Sequence, residues 1–169
     1  MKTCTLCDET KQTSEFGKHK IAKDGLSSWC KECTRERARI YRDTAAGVYT
    51  ALKGLNKFRN RKAVNISKEN FVEWYDSQER VCVYCDLREE DLIYIVDSFN
   101  SMTHKLTVDC IENDVAYSDG NLVLACRRCN TVKNDIFTFD EMRYIGQNFL
   151  KPRWEEQLKT NKGEDNEMS

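Results

Sequence analysis

The 169-residue chain has no apolar run approaching the roughly 20 residues that cross a bilayer, which excludes a helical membrane span. Its start, MKTCTLCDETK, is polar and unlike a secretory leader, so an intracellular setting is expected. Excess charge of one sign is missing too. Against 28 Asp and Glu stand 27 Lys and Arg, a net of −1 that argues neither for nor against a polyanionic partner. Histidine is scarce, with only His19 and His104, so imidazole chemistry has few places to occur. No internal repeat is visible beyond pairs of CxxC motifs.

What the chain does have is cysteine. Nine cysteines in a reducing compartment read as metal ligands before they read as disulfides. Eight of them form four CxxC pairs: Cys4/Cys7, Cys30/Cys33, Cys82/Cys85 and Cys126/Cys129. Zinc takes four ligands in a tetrahedron, and each CxxC offers two sulfurs from one turn, so two pairs close a structural site. Pairing within each half closes the shorter loops and predicts two structural Zn²⁺ ions. The first 33 residues are too poor in apolar side chains to fold by burial alone, and metal has to stabilise them as a zinc ribbon or knuckle.

Charge is unevenly spread. Residues 34–62 carry nine Lys or Arg against Glu36 and Asp43, while acid gathers in DLREEDLIYIVD and in GEDNEMS. Arg35, Arg39, Arg42, Lys57, Arg59 and Arg61 belong to this basic segment, either a solvated helical face or a face for a polyanion.

The expected order is a zinc module over 1–33, a basic helical linker over 34–66, a main domain over 67–155 and a disordered acidic tail over 156–169. Gly47 and Gly54 argue against one unbroken linker helix. Ser67 caps a helix whose Phe71, Trp74 and Tyr75 pack inward. HKLTVD and NLVLA read as short strands. Thr138 and Glu141 form a capping box for a helix that buries Met142, Ile145 and Phe149, and Pro152 stops it.

The stretch VDCIENDVAYSDGNLVLACRRCNTVK resembles the ββα-metal core of the HNH endonucleases, in which a strand ending Asp-His leads to Asn-Leu on a second strand and then to a helix carrying a His or Asn ligand. With its CxxC pairs the chain is similar to the zinc-bearing, phage HNH and PacI-like restriction-endonuclease branch over about residues 1–150. The resemblance implies a small zinc-stabilised α+β fold and a metal-dependent hydrolase of DNA phosphodiester bonds. A bacterial or phage-infected host cytoplasm rests on the same resemblance, and double-strand cleavage from one site per chain would favour a homodimer.

Carried over position by position, Asp109 is a ligand of a catalytic divalent cation, Asn121 ties the loop to the strand, and Asn130 is a second ligand from the helix. Oxygen donors of this kind, three converging on one ion, suit Mg²⁺ or Mn²⁺. Arg127, Arg128 and Lys133 are placed to hold flanking phosphates. The chain departs from the family at Cys110, where the histidine base is expected. An unperturbed thiol, with pKa about 8.5, is a poor base at neutral pH. His104, six residues upstream on an extended strand, is about 20 Å away. Tyr117, in the loop AYSDGN, either packs beneath the loop or brings a phenol to the metal. A second reading keeps the scaffold without catalysis, as a zinc-stabilised protein that binds nucleic acid or regulates another factor. A third, a protein-interaction module, leaves Asp109, Asn121 and Asn130 unexplained.

Overall fold

The computed structural model describes the backbone of residues 1–59, 63–96 and 104–167, and the side chains of 1–54, 63–96 and 104–163. The chain divides into two units, Met1–Gly54 and Leu55–Ser169.

In the first unit, β1 (Lys2–Thr3) pairs antiparallel with β2 (Thr10–Lys11) across the Cys4–Cys7 turn, and β3 (Phe16–Lys18) pairs antiparallel with β4 (Leu26–Cys30). Helix α1 (Lys31–Arg42) follows, and α2 (Ala45–Arg59) begins three residues after it ends. The core is small: Cys4, Phe16 and Cys30 are buried, with Leu26, Trp29 and Cys33 packed around them. One buried phenylalanine cannot offset the ordering of some 50 residues, each costing about 1–2 kcal/mol of backbone entropy. A metal held by its four cysteines would supply what burial lacks.

The linker is helical, and its break falls at Asp43 and Thr44, not at a glycine. Thr44 accepts the Gly47 amide on its hydroxyl at 3.1 Å and so starts α2. A Cβ on Gly47 would lie 2.0 Å from the Tyr41 carbonyl oxygen. The glycine is there for a close approach between helices rather than to break one.

In the second unit, Ser67 accepts the Asn70 amide on its hydroxyl and caps α3 (Lys68–Ser77), whose Phe71 and Tyr75 are buried. The hairpin β5 (Thr107–Cys110) and β6 (Leu122–Ala125) is antiparallel, with Asp109 opposite Val123 and Cys110 opposite Leu122. Helices α4 (Arg127–Lys133) and α5 (Phe139–Ile145) follow. The capping box is formed in full: Thr138 accepts from the Glu141 amide, and the Glu141 carboxylate accepts from the Thr138 amide.

Three expectations fail downstream. A π turn over Gly146–Leu150 leads into α6 (Lys151–Glu167), so Pro152 does not stop the helix and residues 156–167 are helical, not disordered. Pro152 sits in the first turn of α6, where a missing N–H is tolerated. The wider π turn also rotates the stripe, so that Met142 is buried whereas Phe149 is 61% exposed. Phe149 meets Tyr144 edge-on, ring centroids 6.4 Å apart.

The halves repeat one construction. Each opens with a CxxC turn closed by an amide four residues on, Asp8 to the Cys4 carbonyl and Asp86 to the Cys82 carbonyl, both at 2.9 Å. Asp8 and Asp86 both have positive φ, 58° and 57°. Each continues into an antiparallel hairpin, then into a helix whose cap is the first cysteine of a second pair. Cys30 accepts the Cys33 amide on its sulfur, and Cys126 accepts that of Cys129.

Candidate active site

Two clusters of four cysteines form, Cys4/Cys7/Cys30/Cys33 and Cys82/Cys85/Cys126/Cys129, with the sulfurs of each within 4.8 Å of one another. All nine cysteines are free thiols. A tetrahedron of Zn–S bonds near 2.3 Å has edges of about 3.8 Å. Cys4 and Cys33 are 3.8 Å apart, as are Cys85 and Cys126. Four thiols this close cannot all ionise unaided. Burial raises Cys4, but the amides of Cys30, Cys7 and Leu6 outweigh it and bring the thiol down to about 6. Hydrogen bonding to the Cys30 sulfur, then burial, push Cys33 up to about 12. In the second cluster Cys82 is lowered, burial notwithstanding, by the sulfurs of Cys126, Cys129 and Cys85; Cys129 is raised, first by Cys126. A divalent cation resolves this frustration, and the residues fit zinc.

The second cluster fastens β6 and α4 to the Cys82–Cys85 turn, and that turn carries Tyr84. Buried completely, Tyr84 donates its hydroxyl to Asp109 Oδ2 at 2.8 Å. Burial, then the Asp109 charge, push that hydroxyl far above its usual range, so it stays a donor. A third group completes the arrangement. Lys133, also buried completely, donates to the Cys110 carbonyl at 2.9 Å and to the Asn113 side-chain oxygen, and its ammonium is 3.7 Å from Asp109 Oδ2. Asp109, 7% exposed, takes the Cys110 amide on Oδ1 at 2.8 Å.

Asn130 lies one helical turn before Lys133 and donates to Thr107 Oγ1 at 3.0 Å and the Val108 carbonyl at 3.3 Å. Thr107 and Asp109 share a face of β5 by strand alternation, so α4 packs Asn130 and Lys133 beside that face. Asn121 ties its loop: Oδ1 accepts the Glu112 amide at 2.7 Å, and Nδ2 donates to Ala116 at 3.0 Å and to Glu112 and Val115 at 3.4 Å. Asn121 spends its oxygen on the loop, and the amide nitrogen of Asn130 is aimed at β5.

No family model matches the sequence, and no curated protein matches it. Among solved structures, the rare-cutting HNH restriction endonuclease PacI aligns over 93% of this chain and 98% of its own, with a TM-score of 0.55 and 23% identity. The chain has a fold similar to that of PacI. Within this fold Asp109 stands near the end of the hairpin strand β5 and Asn130 in the first turn of the helix that follows the hairpin.

Other expected site residues are placed differently. The Cys110 side chain is 1% exposed, a core thiol on the opposite strand face from Asp109 and shut off from the solvent that a base must reach. Tyr117 is half-buried, and its backbone bridges residues 63–65 by accepting from the Asn65 amide and donating to the Ala63 carbonyl. The phenol hydrogen-bonded to Asp109 belongs to Tyr84. Lys133 is not a phosphate grip, because its ammonium faces inward. Arg127 and Arg128 are half-buried; Arg35, Arg39 and Arg42 are exposed on α1, where Arg39 makes a two-pronged ion pair with Glu36 at 2.9 and 3.0 Å. Arg61 and the side chains of Lys57 and Arg59 lie outside the described residues. Sequence reasoning missed Tyr84 and the inward turn of Lys133. The signal for the first was there, an aromatic inside a CxxC turn whose hydroxyl reaches Asp109 on β5.

Proposed function

We propose that the chain is a metal-dependent endonuclease that hydrolyses DNA, with Asp109 at its centre. The likeness to PacI, a rare-cutting restriction endonuclease described as perturbing DNA, supports this reading. The observation that carries it is the support around Asp109: the Tyr84 hydroxyl and the Cys110 amide hold this carboxylate on β5 between a cysteine cluster and α4, and a carboxylate fixed in this way is suited to position a divalent cation. Asp109 fits a hard divalent cation, since a carboxylate offers the hard oxygen donors that Mg²⁺ and Mn²⁺ prefer. Mg²⁺ or Mn²⁺ bound there would neutralise charge on the scissile phosphate and stabilise the leaving 3′ oxygen. Asn130 holds α4 against β5, and Asn121 ties the loop between β5 and β6 to itself. Tyr117 stays in the proposal as a loop residue near the site's edge, and Arg127 and Arg128 as phosphate contacts. Two chains would be needed for a double-strand break.

The second reading, a non-cleaving nucleic-acid-binding protein on the same frame, is favoured by one observation: Lys133 already places a positive charge beside Asp109, where the metal would add its own. Plasmid cleavage with Mg²⁺ or Mn²⁺ decides. Nicking by the wild type, lost in Asp109→Ala and reduced at least tenfold in Tyr84→Phe, supports the nuclease. Binding without cleavage in wild type and Asp109→Ala alike supports the alternative. Cys110→His is expected to leave cleavage unimproved, because an imidazole there enters the core and not the site.

A further inference from the structure

The β3–β4 hairpin ends in an ordered tip, residues 18–25, most of whose side chains are exposed. Three backbone hydrogen bonds close it in two successive turns: His19 N–H to the Gly25 carbonyl at 2.8 Å, Ala22 to His19 at 3.1 Å and Gly25 to Ala22 at 2.9 Å. Its base is fastened by Cys30 of the first cysteine cluster and by Lys2, which reaches Asp24 at 2.6 Å and the Leu26 carbonyl at 3.2 Å. On this support stands Ile21, 91% exposed, the most exposed large apolar side chain among the described residues. Around it Lys18, His19, Lys20 and Lys23 are all exposed, and the one acid of the tip, Asp24, is neutralised by Lys2.

A bare isoleucine held in water by ordered turns is not a core residue, and three lysines around it repel an apolar protein surface. A duplex suits both features: its phosphates take the lysines, and its base steps accept a single apolar wedge. A bilayer suits them less, because one isoleucine offers too little apolar area to anchor a chain. We propose that residues 18–25 are a duplex-DNA contact in which Lys18, Lys20 and Lys23 meet backbone phosphates and Ile21 presses between bases. This deepens the DNA reading above by naming a second place where the substrate is held.

The test uses the full-length, zinc-loaded chain without added Mg²⁺ or Mn²⁺. Anisotropy of a fluorescein-labelled duplex is followed across a salt series, and a duplex carrying 2-aminopurine reports unstacking. Replacing Lys18, Lys20 and Lys23 together with Gln is expected to lower the slope of log K against log salt by about 2.7, at about 0.9 per phosphate contact. Ile21→Ser is expected to keep the slope and lose the 2-aminopurine signal. All four side chains are exposed, so folding is not at stake, and zinc content confirms it. An unchanged slope in the lysine variant, or unchanged 2-aminopurine fluorescence in Ile21→Ser, overturns the proposal. So does a variant that loses binding to phosphatidylglycerol vesicles but keeps its DNA affinity, which would make the tip a membrane contact. Asp109-dependent cleavage with intact tip-variant binding leaves the nuclease standing and removes the tip. Weakened tip-variant binding with no cleavage by any form does the reverse.

Discussion

Lys133 and Asp109 show how one buried charge compels another. A carboxylate in the core is tolerated because Tyr84, the Cys110 amide and the Lys133 ammonium surround it, and the ammonium is tolerated because of Asp109 and two further oxygens. Removing one partner strands the other. Lys133→Met is expected to cost about 3–5 kcal/mol in urea unfolding, and Lys133→Met combined with Asp109→Asn clearly less than the sum of the two single changes. Additivity of the two would show that they do not compensate each other. Tyr84→Phe removes one hydrogen bond to a buried charge and is expected to cost about 1–3 kcal/mol. The placement of Asp109 on a strand that leads into a loop was legible, because Val-Asp before the loop and Asn-Leu after it are local patterns. The inward turn of Lys133 was not: helical lysines are mostly exposed, and only the docking of α4 on β5 decides which face is covered.

Elements that start on local chemistry were readable, and those shaped by packing were not. Ser67 and Thr138 announce α3 and α5 because a cap needs only its own next three residues. Thr138→Ala is expected to cost about 1 kcal/mol of stability, measured by thermal unfolding. Its partner Glu141 has its carboxyl held below the usual range by the Thr138 amide and then the Thr138 hydroxyl. A depressed carboxyl contributes stability that is present above its unfolded pKa and lost as pH falls through the folded one. The difference between wild type and Glu141→Gln should therefore shrink on acidification below about pH 4.3, the ordinary glutamate value. Phe149 and Pro152 were misread because a π turn inserts a residue into the 3.6 period, which no residue pattern in 146–150 declares. That turn is also where the second unit is tightest. A Cβ on Gly146 would lie 2.3 Å from the Tyr84 carbonyl oxygen, which Gln147 also grips at 3.0 Å. Gly146→Ala is expected to cost about 1–3 kcal/mol as an overpacking change. It should also displace the Tyr84 hydroxyl from Asp109, seen as a shifted tyrosine band in near-ultraviolet circular dichroism. An unmoved band would separate the two sites.

At the scale of the whole molecule, two sulfur clusters of the same design differ in shelter. Cys7 is exposed and Cys33 half-buried, whereas all four sulfurs of the second cluster lie in buried residues. Titration with an organomercurial, with released zinc read by a chromophoric chelator, is expected to show two phases, the first zinc leaving from the Met1–Gly54 unit. A single phase would deny the difference. The cluster residues were legible from spacing alone, since CxxC is a contiguous signal. The likeness between the halves was not: 22 residues separate the pairs in one and 40 in the other, and hydrophobic content differs. The kinship lies in backbone turns, at Asp8 and Asp86, that composition does not reveal.

The second cluster behaves as a buckle. It grips the chain at Cys85 and again at Cys126, so the ends of the 40-residue excursion that carries Asp109 are brought together by sulfur. Lengthening such a strap is cheap, about 0.6 kcal/mol of closure entropy for each doubling. What limits it is burial: Leu87, Leu92 and Ile95 lie between the two grips, so those residues cannot be shed without opening the core of the second unit.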